Sequence, residues 1–434
     1  MTRATLSATD GMPPMLSHSD GPRPNDARLG ERALEKIEAL ARFTDVPGQV
    51  HRLFLSPAHR AGAAQVADWM RQAGCDDVHN DALGTVVGRY EGREPGLPAL
   101  LIGSHIDSVK DAGKYDGNLG VVAALLVVEE LARGAERLPF AVEILCFGDE
   151  ENVRFPTTLA SSRALAGTFA PEWLGVLDED GVSLSEALTR FGGDPGGVLG
   201  LGRAPASALA YIEVHIEQGP VLEAEGLPVG IVTTLASIAR GRAVVRGEAG
   251  HAGTVPMTHR RDALAAAAEM IVAMERLAAG TLGAVATVGV LDVTPKAGNV
   301  IPGEASFSLD LRAPDDETRR CLVAGVEAAI REIARRRAVD LDVEVFFDAP
   351  ATPCSPIVMD ALERAVTRAG LPVRRLPSGA GHDAMAMARL CPSGMLFVRC
   401  ERGISHNPAE FASVADMDTA VRVLLATVRA FQAA

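Results

Sequence analysis

The chain has 434 residues, 47% of them hydrophobic, with 42 Lys plus Arg against 56 Asp plus Glu and a formal net charge of −14. Its length exceeds one ordinary domain and predicts two, with enough apolar residues for sizeable cores. The acidic balance argues against nucleic acid or an anionic membrane as a partner.

Residues 1–28 are rich in Pro, Ser, Asp and Gly, without the apolar stretch of a signal peptide, so a disordered tail is predicted. The chain lacks the run of about 18 apolar residues that a membrane span needs, and a cytoplasmic location is expected. Cys75, Cys146, Cys321, Cys354, Cys391 and Cys400 stand singly, which predicts reduced thiols rather than a metal or redox pair. Apolar residues at helical spacing begin at Leu29, and Pro57–Ala73 reads as a second helix.

Ala99-Leu100-Leu101-Ile102 reads as a buried strand running into Gly103-Ser104-His105-Ile106-Asp107-Ser108. His105 then sits near the C-terminal end of a strand, where open α/β sheets place ligands. Asp107, two residues on, falls on the same face and could hold a metal-bound imidazole in one tautomer. Asp116 lies in a Gly-rich loop before the helical stretch Val121–Arg133. On these residues alone, a ligand pair and a strand-end His beside an unrelated turn Asp are equally good readings.

Ala141–Phe147 reads as another buried strand, ending in Gly148-Asp149-Glu150-Glu151. Adjacent acids repel one another unless a cation neutralises them. Extended backbone turns Glu150 and Glu151 opposite ways, so one could bind metal while the other faces a water. A solvated acidic turn would be the ordinary alternative. Against it stands recurrence: Tyr211–His215 is a third strand ending in His, and His406 sits in the turn Gly403–Pro408. Three His, one Asp and paired Glu make a nitrogen and oxygen ligand set for two metals such as zinc or manganese.

A different rhythm fills residues 237–347. Ala243–Gly247 alternates as a strand, Arg261–Ala278 is an Ala-rich helix, Leu282–Val293 and Ala305–Leu311 read as strands, and Asp316–Arg337 reads as a helix. Two helices on an antiparallel sheet is an α+β unit. His406 follows this stretch while the other ligand candidates precede it. The expected fold is therefore α/β: a helix-sandwiched mixed sheet as catalytic domain, built from 29–236 and 348–434, with an inserted α+β domain at 237–347.

GSHIDSV, YDGNLGV, FGDEENVRF, HIEQGPVLE, GEAGHAGTVPM, GNVIPG, LDLR, SGAGHDAM and GISHNPAE occur in this order. From about residue 30 onward the chain thereby resembles the hydantoinase/carbamoylase branch of the dinuclear zinc exopeptidase and amidase superfamily. That branch includes allantoate amidohydrolases, N-carbamoyl-L-amino acid hydrolases and β-ureidopropionases. The resemblance implies two divalent ions, zinc first, with manganese, cobalt or nickel as alternatives. His105 and His215 would hold one, Glu151 and His406 the other, with Asp116 bridging. Glu150 would be the general base and His251 would stabilise the oxyanion. Asn299 and Arg312 would clamp a substrate carboxylate, Gln218 would meet the ureido group, and His382 would face the substrate. The insert would serve as a lid and as the interface of a homodimer.

His215 favours this branch over the peptidases, which tend to have a carboxylate at that position. The substrate expected is a small ureido carboxylate: allantoate first, N-carbamoyl-L-amino acids or β-ureido acids next. A peptidase or aminoacylase, a dinuclear phosphoesterase and an inactive binding homologue are more distant. His18, His51, His59, His79 and His259 lie outside the motifs and are expected at the surface or in structural roles. Two departures from the family pattern stand out: Asn152, where Gly commonly follows the paired Glu, and Ala236-Ser237-Ile238-Ala239-Arg240, where a Gly-containing stretch is usual.

Overall fold

The computed structural model describes residues 29–432; the expected tail over 1–28, with His18, lies outside them. Four adjacent parallel strands form the centre of a nine-stranded sheet: Ala141–Phe147, Ala99–His105, Ala208–Ile216 and Ser393–Val398. Val86–Tyr90 and then Asp77–Asn80 extend it antiparallel on one side. Val229–Leu235 and then Thr352–Pro353 extend it antiparallel on the other, and Arg375–Ser378 runs parallel to Val229–Leu235. The sheet is mixed, as expected.

The central strands are buried on both faces, which is why they read as unbroken apolar runs rather than alternating ones. On one face Leu100, Ile102, Ile144, Ile212 and Val214 pack with helices Pro57–Gln72, Asn118–Arg133 and Val414–Ala430. On the other face Leu101, Leu145, Phe147 and Tyr211 meet Leu165, Ala384 and Met387 from two short helices, Ala160–Leu165 and Asp383–Met387. The register aligns the strand ends. His105 pairs with Phe147, and His215 with Phe397. The C-terminal edge of the parallel strands thus gathers the candidate ligands in one place.

A second, antiparallel sheet runs from Ser237 to Ala349, with strand order Leu291–Thr294, Glu304–Ala313, Ser237–Arg246, Asp340–Ala349. Helices Ala263–Ala279 and Asp316–Arg337 contribute to its own apolar cluster, which includes Met270, Phe307, Leu322 and Ile330. The strand expected over 282–293 is broken into Val285–Thr287 and Leu291–Thr294. The break lies at Ser308, whose hydroxyl accepts from Gly289 N and Val290 N, each at 3.0 Å, in place of ladder bonds.

The two sheets are joined at Ala236, between Leu235 and Ser237. Ser237 is buried and its Oγ donates to Asp316 Oδ1 at 2.6 Å, while Arg319 Nε donates to it at 2.7 Å. This accounts for the unusual residue at the crossing: a hydroxyl ties the joint to the first turn of the Asp316–Arg337 helix, which a Gly could not do. Among the described residues no helix is long and apolar enough to cross a membrane.

Behind the strand ends lies Arg52, fully buried. It donates to Leu40 O at 2.6 Å, Phe43 O at 3.1 Å, Ile106 O at 2.5 Å and Asn118 Oδ1 at 2.7 Å. Burial lowers its pKa to about 10, so it stays charged at neutral pH. One side chain thereby fastens the first helix, the loop after His105 and the start of the Asn118 helix. Arg52→Met keeps the volume but strands these acceptors, each at a cost of about 1–3 kcal/mol. Urea unfolding should give a loss of about 3 kcal/mol or more; an unchanged midpoint would refute this role.

Candidate active site

Asp116 is the centre of the cluster. Its Oδ1 lies 2.9 Å from His215 Nε2 and 3.5 Å from His105 Nε2. Its Oδ2 lies 3.3 Å from His406 Nε2, which in turn is 3.4 Å from Glu151 Oε2. Three potential ligand triads result, His105–Asp116–His215, Asp116–Glu151–His406 and His105–Glu150–Glu151, with the ligand atoms of each within 4.8 Å of one another. Glu150 faces the same space, with Oε2 4.0 Å from His105 Nε2.

The polar inventory fits a metal. His105 Nε2, His215 Nε2 and Glu151 Oε1 are buried and make no well-aligned hydrogen bond, His215 Nε2 despite its 2.9 Å approach to Asp116 Oδ1, although buried polar atoms are normally satisfied. The imidazole tautomers are also set. His105 Nδ1 lies 3.1 Å from Asp107 O, and His215 Nδ1 lies 2.9 Å from Ile216 O. A carbonyl only accepts, so each Nδ1 carries a proton; against the cost of burial, the surrounding carboxylates raise both imidazoles and favour a second proton at Nε2, the atom that a bound ion would take instead. Burial, with Asp116 nearby, pushes Glu151 up to about 8, and burial with Glu151 beside it holds Glu150 well above the usual carboxylate range. Protein groups alone leave these acids in conflict, a conflict divalent cations would relieve.

Supporting carboxylates hold the ligands. Asp107 accepts from Glu150 N at 3.3 Å and Glu151 N at 3.2 Å, so it fixes the paired acids as well as facing His105. Glu410 was not singled out from the sequence, although it closes the GISHNPAE motif. Its Oε1 accepts from Tyr115 N and Asp116 N at 2.9 and 3.0 Å, and its Oε2 from Ser405 Oγ at 2.8 Å. It latches the His406 loop to the Asp116 loop. Asp149 turns away from the cluster and accepts from Thr157 Oγ at 2.5 Å.

Left-handed backbone aims several of these groups. Asn152, Gln218 and His406 have φ of 55°, 57° and 55°. At Asn152 this explains why Gly is common there, and Asn is the residue that best tolerates the same conformation. Its Nδ2 donates to Glu150 O at 2.9 Å. Gly117 has φ 63°, and a Cβ there would come within 2.5 Å of the His105 ring. A side chain is excluded twice over.

A cavity of about 220 Å³ opens over the ligands and reaches the second sheet. Gln218, Arg312 and His382 line it together with Arg240, Arg163 and Asn152. Gln218 Nε2 donates to Asp116 Oδ2 at 2.8 Å and Ser405 Oγ at 3.2 Å. Arg312 forks onto Asp310 at 2.7 and 2.9 Å and donates to Gly379 O at 2.7 Å, so it bridges the two sheets. His382 is buried, 2.9 Å from Ser378 Oγ through Nε2, with its ring edge against His215. Burial, then the neighbouring His215, holds it well below the usual imidazole pKa.

His251 and Asn299 are not brought to this cavity. They sit on an exposed two-stranded ribbon, where Val300 pairs with His251 and Ala252 N donates to Asn299 O at 3.0 Å. Asn299 is thus separated from Arg312. Ser237 also lies away from the lining, at the joint between the sheets. Of the histidines without motif support, His59 is buried and accepts from Leu55 N at 3.1 Å; His79 and His259 are exposed and His51 is half-buried.

Residues 101–430 match the family described as peptidase family M20/M25/M40. An N-carbamoyl-L-amino acid amidohydrolase of Geobacillus stearothermophilus is 41% identical, covering 92% of this chain and 98% of that protein. An allantoate deiminase of Arabidopsis thaliana is 38% identical, covering 92% of this chain and 82% of that one. A crystal structure of a hydantoinase/carbamoylase family amidase from Burkholderia multivorans superposes with a TM-score of 0.87 at 33% identity, covering 93% of this chain and 98% of that one. The chain belongs to the hydantoinase/carbamoylase amidases of the M20/M25/M40 family. It is a hydrolase of non-peptide C–N bonds in a metal-dependent family.

The ligand geometry gives a direct measurement. His215→Ala removes a candidate ligand, and Glu410→Ala frees the two candidate ligand loops from each other. Removing such an outer partner typically lowers metal affinity about 10–100-fold. After dialysis against a chelator and reloading with zinc, elemental mass spectrometry should find less metal in both variants than in the parent protein. Parental metal content in His215→Ala would remove that residue from the ligand set.

Proposed function

We propose that this chain hydrolyses the terminal C–N bond of a ureido group in allantoate, releasing ammonia and carbon dioxide. N-carbamoyl-L-amino acids are the close alternative. The observation that carries the reading is the composition of the cavity: carboxylates, imidazoles and guanidinium groups line one space. Its relatives bear both substrate names at nearly equal identity, so likeness alone does not choose between them. The second ureido group of allantoate needs hydrogen-bond partners once buried. Asn152, Gln218 and Arg240 offer such partners in the lining, beside the apolar Leu159, Ile238, Phe347 and Met385, whereas an apolar side chain would favour a wholly dry pocket.

The residues divide the work as follows. His105, His215, Asp116, Glu151 and His406 would hold two divalent ions, zinc by the nitrogen and oxygen donor set. Bound ions would lower the pKa of a water toward ~7 and polarise the ureido carbonyl. Glu150, held by Asp107 through its backbone, takes a proton from the attacking water and passes it to the departing amide nitrogen, which leaves as ammonia. The carbamic acid that remains breaks down to an amine and carbon dioxide. Arg312 keeps two N–H directions free beyond its fork on Asp310 and its bond to Gly379 O, and suits the substrate carboxylate.

Residues 237–347 act as lid and dimer interface of a cytoplasmic homodimer, with 29–236 and 348–434 as the catalytic domain. The exposed ribbon supports this. His251 and Asn299, which do not line their own chain's cavity, would reach the partner's cavity, where His251 meets the developing oxyanion. The cysteines, all free, suit a reducing compartment.

The test compares kcat/KM for allantoate with that for several N-carbamoyl-L-amino acids, using zinc- and manganese-loaded protein. Allantoate should win; a carbamoyl amino acid ahead by tenfold, about 1.4 kcal/mol of transition-state preference, would reverse the choice. Glu150→Gln should keep its metal yet lose about 10²–10⁴-fold in turnover. Parental turnover there, with metal bound, would sink the general-base role. Mixing Glu150→Gln with His251→Ala, followed by subunit exchange, should restore activity that neither variant has alone. No recovery in verified mixed dimers would confine His251 to its own subunit.

A further inference from the structure

The cavity contains three guanidinium groups, and they are not equivalent. Arg240 and Arg312 share Asp310, at 3.2 Å from Arg240 Nε and 2.7 Å from Arg312 Nε. Arg163 has no carboxylate within ion-pair distance among the described residues. Its side chain lies over the Trp173 ring, 5.6 Å from the centroid, and its buried Nε has no hydrogen-bond partner. The nearby charge that acts on it is another cation, Arg389. A half-buried guanidinium with unused donors is costly unless something arrives to accept from it. It opens onto the same cavity as Glu150, His215 and His406.

Its position relative to the reacting groups is fixed. Arg163 rides on the Ala160–Leu165 helix. Leu159 N, at the start of that helix, donates to Asp149 O at 3.0 Å, and Gly148 N donates to Ser161 Oγ at 3.3 Å. The segment that carries Glu150 and the helix that carries Arg163 are therefore one hydrogen-bonded piece. The lid is not involved, so this distance does not depend on domain closure. Arg312, by contrast, belongs to the second sheet and reaches across.

The geometry points to Arg163 as a specificity-determining residue: it takes an oxygen acceptor on the part of the substrate beyond the reacting ureido group and the clamped carboxylate. Two chemistries present such an oxygen, the carbonyl of a second ureido group and the carboxylate of an acidic side chain. An aliphatic side chain presents none and would leave the guanidinium desolvated and unpaired. This rests on the ureido-hydrolase reading above and adds to it which substituent the site selects. Arg163 touches neither the water nor the scissile bond, so its loss should change selectivity more than the intrinsic rate.

The experiment measures kcat/KM for allantoate, N-carbamoyl-L-aspartate and N-carbamoyl-L-leucine in the full-length zinc-loaded enzyme and in Arg163→Met and Arg163→Lys. Arg163→Met should cut the ratio of the preferred oxygen-bearing substrate over N-carbamoyl-L-leucine at least tenfold. Most of the loss should lie in KM, and Arg163→Lys should recover part of it. Whether allantoate or N-carbamoyl-L-aspartate suffers more identifies which oxygen is bound. A role confined to packing on Trp173 would lower all three values together. An unchanged ratio in both variants, with the parent enzyme active, overturns the assignment and leaves the ureido-hydrolase reading intact. A metal-loaded parent enzyme inactive on all three compounds overturns that reading and the assignment with it.

Discussion

The two oxygens of Asp116 face different partners, and most of the surrounding structure follows from that. One oxygen looks to His105 and His215, the other to His406. For a single carboxylate to do this, three strand ends and one distant loop must converge within a few ångströms. Parallel strands in one sheet bring their C-terminal ends to one edge, which supplies the two strand histidines and the paired acids without further device. The fourth piece, the His406 loop, has no such register. It is tied by Glu410, which grips both the Asp116 backbone and Ser405.

That convergence is electrostatically unfavourable among protein groups alone. Burial raises Glu150 and Glu151 together while Asp116 is held well below its ordinary range, where the surrounding imidazoles outweigh its burial. The chain also places non-glycine residues in left-handed backbone at Asn152, Gln218 and His406, at about 1–3 kcal/mol each. Such strain persists where surrounding contacts over-determine the backbone. Arg52 behind His105 and Asp107 beneath the paired acids are two such contacts. The core on both faces of the sheet supplies the stability against which this local cost is set.

The cavity belongs to neither sheet alone. His215 comes from the first, with Glu150 just beyond a strand of it and Arg163 on a helix packed against it, while Arg240 and Arg312 come from the second. Only Ala236 separates the strands on that side, and Ser237 pins the crossing to Asp316 and Arg319. A movement at this joint would change the distance between the guanidinium groups and the ligand cluster. It would leave the cluster itself intact, because its residues all lie outside the second sheet. Positions proposed to hold the reacting centre and positions proposed to hold the substrate's far end are thus mechanically separable.

The sequence alone determined the fold class and singled out residues that the structure gathers at one edge of the sheet, because these rest on local signals. Apolar runs ending in His or paired Glu mark strand ends, and strand ends in a parallel sheet must meet. Nine motifs in family order made the same residues specific. Tertiary structure decided what depends on contacts distant in sequence. Glu410 bonds to residues some 295 positions away, so nothing local to its motif reveals its role. Asn152 looked like a departure until its backbone angle showed why Asn replaces Gly. Ser237, in a stretch that departs from the family pattern, proves to pin the joint between the sheets. Asn299 and Arg312 lie thirteen residues apart in the chain, yet a two-stranded ribbon carries one to the surface while a long strand aims the other into the cavity. Arg163 was one arginine among many in the sequence; what distinguishes it is that, among the described residues, no carboxylate lies within ion-pair distance of it.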